Sequence, residues 1–195
     1  KLSGARALNN AARMLMLKYT EIFFLGLYFS PAVTGIYDLG YTVPAMVIGF
    51  VPAALSTLFS ALFADSYTRD PNSLPNLIRA VYRAMILLLL PLAIIGAFLA
   101  PRGIVLIYGP EMSDAGRVAS LFCILHLFPL ISWPLSMALS AAERVLPMLP
   151  YMILQVTLNI LLDLLLIPRY GIFGAIGAVA GTFLLTIPLR LRVVA

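Results

Sequence analysis

Six apolar blocks constrain this chain more than any other feature. Each is about 20 residues or longer, the length a helix needs to cross roughly 30 Å of hydrocarbon. They lie near residues 5–29, 36–63, 78–100, 115–139, 146–167 and 171–191. A bilayer core offers no water to the backbone, so only helices or closed barrels can span it. These blocks are continuous apolar runs rather than ten-residue alternating segments, which selects helices. The expected fold is an all-α membrane protein, with residues 1–195 forming a single six-helix bundle. Composition agrees: 62% of residues are hydrophobic and 11% charged, against about 25% charged in soluble domains. A soluble fold could not cover its surface with so few polar groups.

The connectors carry turn residues. Ser30-Pro31 follows the first block, residues 65–75 the second, and residues 101–114 the third, with Gly103, Gly109 and Pro110. The shortest connector is Pro168-Arg169-Tyr170-Gly171. Six spans return both termini to one side. Lys1, Arg6, Arg69, Arg79, Arg83, Arg144, Arg190 and Arg192 fall on that side, and only Arg102, Arg117 and Arg169 on the other. Basic residues concentrate in cytoplasmic loops, so cytoplasmic termini are expected. The same placement explains the net charge of +5 as topology control, and nucleic acid is not an expected partner. The chain begins at Lys1 with no cleavable leader pattern, which suggests an excerpt of a longer protein.

The first block is not uniformly apolar. Arg6, Asn9, Asn10, Arg13, Thr20, Glu21 and Tyr28 fall within an arc of about 120° at 100° per residue, and Lys18 lies about 60° beyond it. A charge in a membrane helix costs at least about 2.5–3.5 kcal/mol unless paired or hydrated. Lys18 and Glu21 lie roughly 20 Å along the helix from Arg6, well inside the core. Two readings follow. Lys18 and Glu21 pair across one turn while Arg13 reaches the headgroups, or the stripe is a cationic cavity wall that meets an anionic substrate. In the fifth block Gln155, Asn159 and Asp163 share one face at four-residue spacing, as inter-helix hydrogen bonding or as part of the same cavity. The residues assigned to substrate are therefore Arg13, Lys18, Glu21, Asn159 and Asp163.

Other features are structural in the first instance. His126 is the only histidine and reads as a hydrogen-bonded packing residue, with proton carriage as the alternative. Cys123 reads as a small buried side chain. Pro44, Pro52, Pro91, Pro129, Pro134 and Pro188 lie inside spans, where each removes a backbone donor and permits a bend. Gly174-xxx-Ala178 and Gly177-xxx-Gly181 permit close helix approach. One histidine and one cysteine cannot build the usual metal cluster. There is no phosphate-cradling loop or nucleophile elbow, so no enzyme activity and no cofactor are expected.

Several runs resemble the polysaccharide flippase branch of the multidrug/oligosaccharidyl-lipid/polysaccharide exporter superfamily. Thr20-Glu21-Ile22-Phe23-Phe24-Leu25-Gly26 is similar to its acidic-then-apolar opening run. Thr34-Gly35-Ile36-Tyr37, Phe50-Val51-Pro52 with Leu55-Ser56, and Ile107-Tyr108-Gly109 are similar to later motifs. Asn159, followed by Ile167-Pro168-Arg169-Tyr170-Gly171-Ile172-Phe173-Gly174-Ala175, is the most specific match. The resemblance implies one bundle of a two-bundle transporter, with this chain in the place of the second. It implies that a first six-helix bundle and membrane lipids are partners. It further implies that a lipid-linked oligosaccharide crosses the cytoplasmic membrane of a prokaryote by alternating access, its phosphates suiting Arg13 and Lys18. A cation-coupled multidrug exporter of the same superfamily would instead place the ion at Glu21 or Asp163. An integral-membrane enzyme acting on polyprenyl-phosphate lipids would need acidic or histidine groups gathered at one membrane face.

Overall fold

A computed structural model describes residues 19–142 and 149–194. These residues form helices α1 (19–28), α2 (Pro31–Arg69), α3 (Leu74–Tyr108), α4 (Ser113–Leu125), α5 (Leu127–Ile131), α6 (Trp133–Ala141), α7 (Leu149–Tyr170) and α8 (Ile172–Val194). Short 3-10 turns at Pro71–Ser73 and Pro110–Met112 join neighbours. No strand occurs among the described residues. Among the described residues, five segments are long and apolar enough to cross a membrane: Pro31–Arg69, Pro71–Tyr108, Pro110–Ala141, Pro150–Tyr170 and Ile172–Leu189. Of the expected span at 5–29, residues 5–18 lie outside the described residues.

The turns follow local chemistry. Ser30 opens α2, its hydroxyl accepting from Val33 N at 3.4 Å, and Pro31 takes the first helical position, where a missing N–H costs nothing. Asp70 caps the next turn by accepting from Asn72 N at 3.1 Å. Gly109 (φ 95°) and Gly171 (φ 56°) hold backbone conformations that side chains resist. Gly171 ends α7, its N–H donating to Ile167 O at 2.8 Å.

Helices α2 and α3, at 39 and 35 residues, are about 58 and 52 Å long at 1.5 Å per residue. They exceed the expected spans 36–63 and 78–100 because apolarity marks only the part in hydrocarbon, while helical hydrogen bonding continues into the headgroups. The expected connector at 101–114 is corrected accordingly: α3 runs through Pro101 and Gly103 and stops at Gly109. Pro101 cannot donate to Ala97 O, four residues back. Ser120 on α4 takes that place, donating its hydroxyl to Ala97 O at 2.6 Å. Ser120→Ala is expected to cost ~1 kcal/mol, read as earlier thermal unfolding in detergent. In a Pro101→Ala background, which restores the backbone donor, the same change is expected to cost little. Equal losses in both backgrounds would contradict this role for Ser120.

The fourth span is broken rather than continuous, with interruptions at His126 and Ser132. Pro129 and Pro134 each remove a donor there. Tyr82 on α3 donates its hydroxyl to Ile131 O at the second break, and Ser136 donates to Ser132 O at 2.8 Å.

The described residues pack as two compact units, residues 19–38 with 149–193, and residues 39–142. In the second, Ile48, Phe59 and Phe63 of α2 meet Val81, Met85, Leu89 and Ala93 of α3, with Cys123 of α4. Trp133 stands edge-on to Phe59 at 5.8 Å between ring centroids. The buried Cys123 is the small packing side chain expected. Close approach is enforced at Gly40, where an added Cβ would lie 2.5 Å from Val118 Cγ1, and at Gly116, where it would lie 2.7 Å from Pro101 Cα. The first unit buries Leu25, Tyr37, Ile167, Ala175, Ala178 and Val179. Large apolar side chains such as Phe50, Phe98 and Leu106 point outward, at 72%, 74% and 87% exposure. That is the arrangement lipid solvates and water does not.

Candidate functional site

Buried polarity gathers in the first unit. Glu21 on α1, Gln155, Asn159 and Asp163 on α7, and Thr182 and Thr186 on α8 are all buried. The spacing of four on α7 does what it predicts, turning Gln155, Asn159 and Asp163 inward. Leu154, Leu161 and Leu165 remain exposed on the other side of that helix.

The centre is a bonded trio. Asn159 Nδ2 donates to Glu21 Oε1 at 3.2 Å. The Thr20 hydroxyl lies 3.2 Å from Asn159 Oδ1 and 3.3 Å from Glu21 Oε2, bridging the amide and the carboxyl. Asp163 sits one turn beyond Asn159, within electrostatic reach of Glu21. The Thr20 hydroxyl approaches Asp163 without reaching hydrogen-bond geometry. Both Asp163 oxygens lack a hydrogen-bond partner among the described residues, as does Thr182 Oγ1. Thr186 instead donates to Thr182 O at 2.6 Å.

Two carboxyl groups, an amide oxygen and hydroxyls form an oxygen-rich interior. No basic side chain among the described residues pairs with either acid; the ion pairs found there are Arg69–Asp65 and Arg117–Asp114. Two buried carboxylates repel each other and lose hydration unless positive charge is supplied to them. Such a site suits a group that adds positive charge, either a proton or a small hard cation with oxygen ligands. No group of three histidine, cysteine or carboxylate side chains that could hold a metal ion occurs among the described residues.

Three of the five residues assigned to substrate, Glu21, Asn159 and Asp163, therefore come together, with exposures of 0%, 1% and 0%. They are sealed inside their unit in this conformation. Arg13 and Lys18 lie outside the described residues, as do Arg6, Asn9, Asn10 and Arg144. Sequence reasoning placed Thr20 on the polar stripe but gave it no role. The buried Thr182 and Thr186 went unnoticed, although their four-residue spacing on α8 was a usable signal.

His126 belongs to the second unit. Its Nδ1 lies 2.8 Å from Phe122 O, and its ring stands edge-on to Tyr41 and Phe122 at 4.9 and 5.5 Å. This is the hydrogen-bonded packing role. The close approach expected from the last glycines is also present. A Cβ on Gly174 would lie 2.6 Å from Leu166 C and 2.9 Å from Ile167 N, and one on Gly181 would lie 3.2 Å from Leu162 Cδ1.

Helical spans with an outward apolar surface and a sealed polar interior define a multi-pass membrane protein. Its family is settled by comparison. A family described as polysaccharide biosynthesis protein matches residues 3–117, and the chain belongs to that family. It is also 28% identical over 174 residues to a protein of Haloferax volcanii named "Probable flippase AglR", an alignment covering 86% of this chain. The chain spans about a third of that relative's length, 36%. No solved structure matches. Together these make the chain a membrane protein of the polysaccharide biosynthesis family, similar over part of that relative's length to a probable flippase.

Proposed function

We propose that this chain takes part in moving a lipid-linked oligosaccharide or polysaccharide precursor across the cytoplasmic membrane of a prokaryote, as a transporter rather than an enzyme. It works by alternating access, with a further six-helix bundle completing the cavity, both termini cytoplasmic and membrane lipids around it. The observation that carries this reading is the sealed Glu21–Asn159–Asp163 cluster joining α1 to α7. A scaffold subunit has no use for two buried acids at that cost. A transporter does, because filling and emptying such a site changes how strongly α1 and α7 are held together. The name of the Haloferax volcanii relative supports a flippase.

Within this reading the five assigned residues divide. Glu21, Asn159 and Asp163 bind the coupling proton or cation and join the substrate surface only when the unit opens. Arg13 and Lys18 meet the phosphates of the lipid carrier, where charge-assisted hydrogen bonds are strongest. The acid pair also favours a second reading, a cation-coupled multidrug exporter with the same ion site and a different cargo.

Surface delivery of the glycan, measured in cells that depend on the full-length protein, tests the division. Arg13→Gln and Lys18→Gln are expected to reduce delivery by about tenfold each at unchanged membrane abundance, the effect of losing ~1.4 kcal/mol of binding. Normal delivery by both variants would remove the phosphate role. Resistance to organic cations that tracks Glu21 and Asp163 while glycan delivery stays intact would favour the exporter.

A further inference from the structure

We propose that Arg79 and Arg83 on α3 form a docking site for an anionic phospholipid, its phosphate held by both guanidinium groups and its chains lying along Leu87, Leu90 and Ile94.

The site stands on position, charge and exposure within the second unit. At 100° per residue Arg79, Arg83, Leu87 and Leu90 share an arc of about 80°. The buried Val81 and Met85 lie on the opposite side, so the two arginines point away from the core. Leu87, Leu90 and Ile94 continue their stripe at 68%, 44% and 43% exposure. From Arg83 to Arg102 the helix rises about 28 Å, close to the roughly 30 Å of a hydrocarbon core. Arg83 therefore stands at the phosphate level of one leaflet, with Arg79 one turn outside it.

Charge complementarity identifies the occupant. Arg69 and Arg117 are each neutralised by a neighbouring carboxylate, at 2.7 and 3.3 Å. Among the described residues Arg79 has the Asn76 amide oxygen at 3.5 Å, and no carboxylate there pairs with Arg79 or Arg83. Two guanidinium groups about one turn apart, with no carboxylate partner among the described residues, bracket a single phosphate. The aliphatic stripe below supplies the surface for the chains. A soluble anion would satisfy the arginines and leave that stripe unused, and a zwitterionic lipid would bring a cation against them.

Native mass spectrometry of the full-length protein in detergent, titrated separately with phosphatidylglycerol, phosphatidylcholine and inorganic phosphate, tests the site. Phosphatidylglycerol is expected to bind more tightly than phosphatidylcholine, and inorganic phosphate is expected not to displace it. Replacing both arginines, Arg79→Gln with Arg83→Gln, is expected to weaken phosphatidylglycerol about 25-fold. That is about fivefold for each basic residue near an anionic surface, from ~1 kcal/mol apiece. The charge-keeping pair, Arg79→Lys with Arg83→Lys, and the ion-paired control Arg117→Gln are expected to retain binding. The proposal is overturned if the double glutamine variant binds phosphatidylglycerol like the wild type, or if Arg117→Gln loses as much. It is also overturned if the double lysine variant loses as much as the glutamine one, or if inorganic phosphate competes at comparable concentration.

Discussion

Gly174→Ala in the full-length protein is expected to abolish recovery of monodisperse material, while Gly103→Ala is recovered like the wild type. The two substitutions add the same methyl group to a helix. At Gly174 that carbon would press into the backbone of the preceding helix, 2.6 Å from Leu166 C and 2.9 Å from Ile167 N. Backbone cannot swing aside as a flexible side chain can, so α8 must move away from α7. Overpacking of this kind costs ~1–3 kcal/mol or more, and the movement would also disturb the turn at Gly171, already held at φ 56°. At Gly103 nothing lies within 4 Å, and alanine in a helix is favoured over glycine by roughly 0.5–1 kcal/mol. Fluorescence-detected size-exclusion chromatography reads both outcomes. A sharp, wild-type peak for Gly174→Ala would mean that α7 and α8 are not held this closely.

Glu21→Gln and Asp163→Asn are each expected to reduce glycan delivery between fivefold and a hundredfold while the protein still reaches the membrane. Coupling free energies of ~1–3 kcal/mol correspond to about 5–150-fold changes. Both substitutions keep shape and most hydrogen-bonding capacity, and neither removes a partner of the buried core. Glutamine at 21 can still accept from Asn159 through its remaining oxygen, which in the native chain is reached at 3.2 Å. What each variant loses is the ability to gain and release a positive charge. Delivery at wild-type levels from both would leave the cluster with a purely structural role.

Helix class and five of the six expected apolar segments were legible in the sequence, because lipid leaves the chain few alternatives. Helix ends were not. Apolarity ends near Phe63 and begins again near Ile78, yet α2 and α3 continue to Arg69 and from Leu74, since hydrogen bonding within a helix ignores the membrane boundary. The passage of α3 through Pro101 was hidden for a different reason. It depends on Ser120, a residue of another helix whose hydroxyl accepts the duty of a missing N–H. The same logic concealed the double break at His126 and Ser132, one of whose carbonyls is satisfied from α3 by Tyr82. Half of the polar cluster was legible. Gln155, Asn159 and Asp163 announce a face through their spacing, and Glu21 stands out as an acid in an apolar run. That Glu21 meets Asn159, with Thr20 bridging them, is a contact between residues 138 apart, and no local pattern encodes it.

The direct measurement is flipping of a fluorescent lipid-linked oligosaccharide in proteoliposomes of the full-length protein, under imposed proton and sodium gradients applied one at a time. If the Glu21–Asn159–Asp163 cluster holds the coupling ion, the wild type flips faster under one of the two gradients. Glu21→Gln and Asp163→Asn then flip at a slow rate that neither gradient changes. Acceleration of both variants to the wild-type extent, under the same gradient, would contradict that role for the cluster.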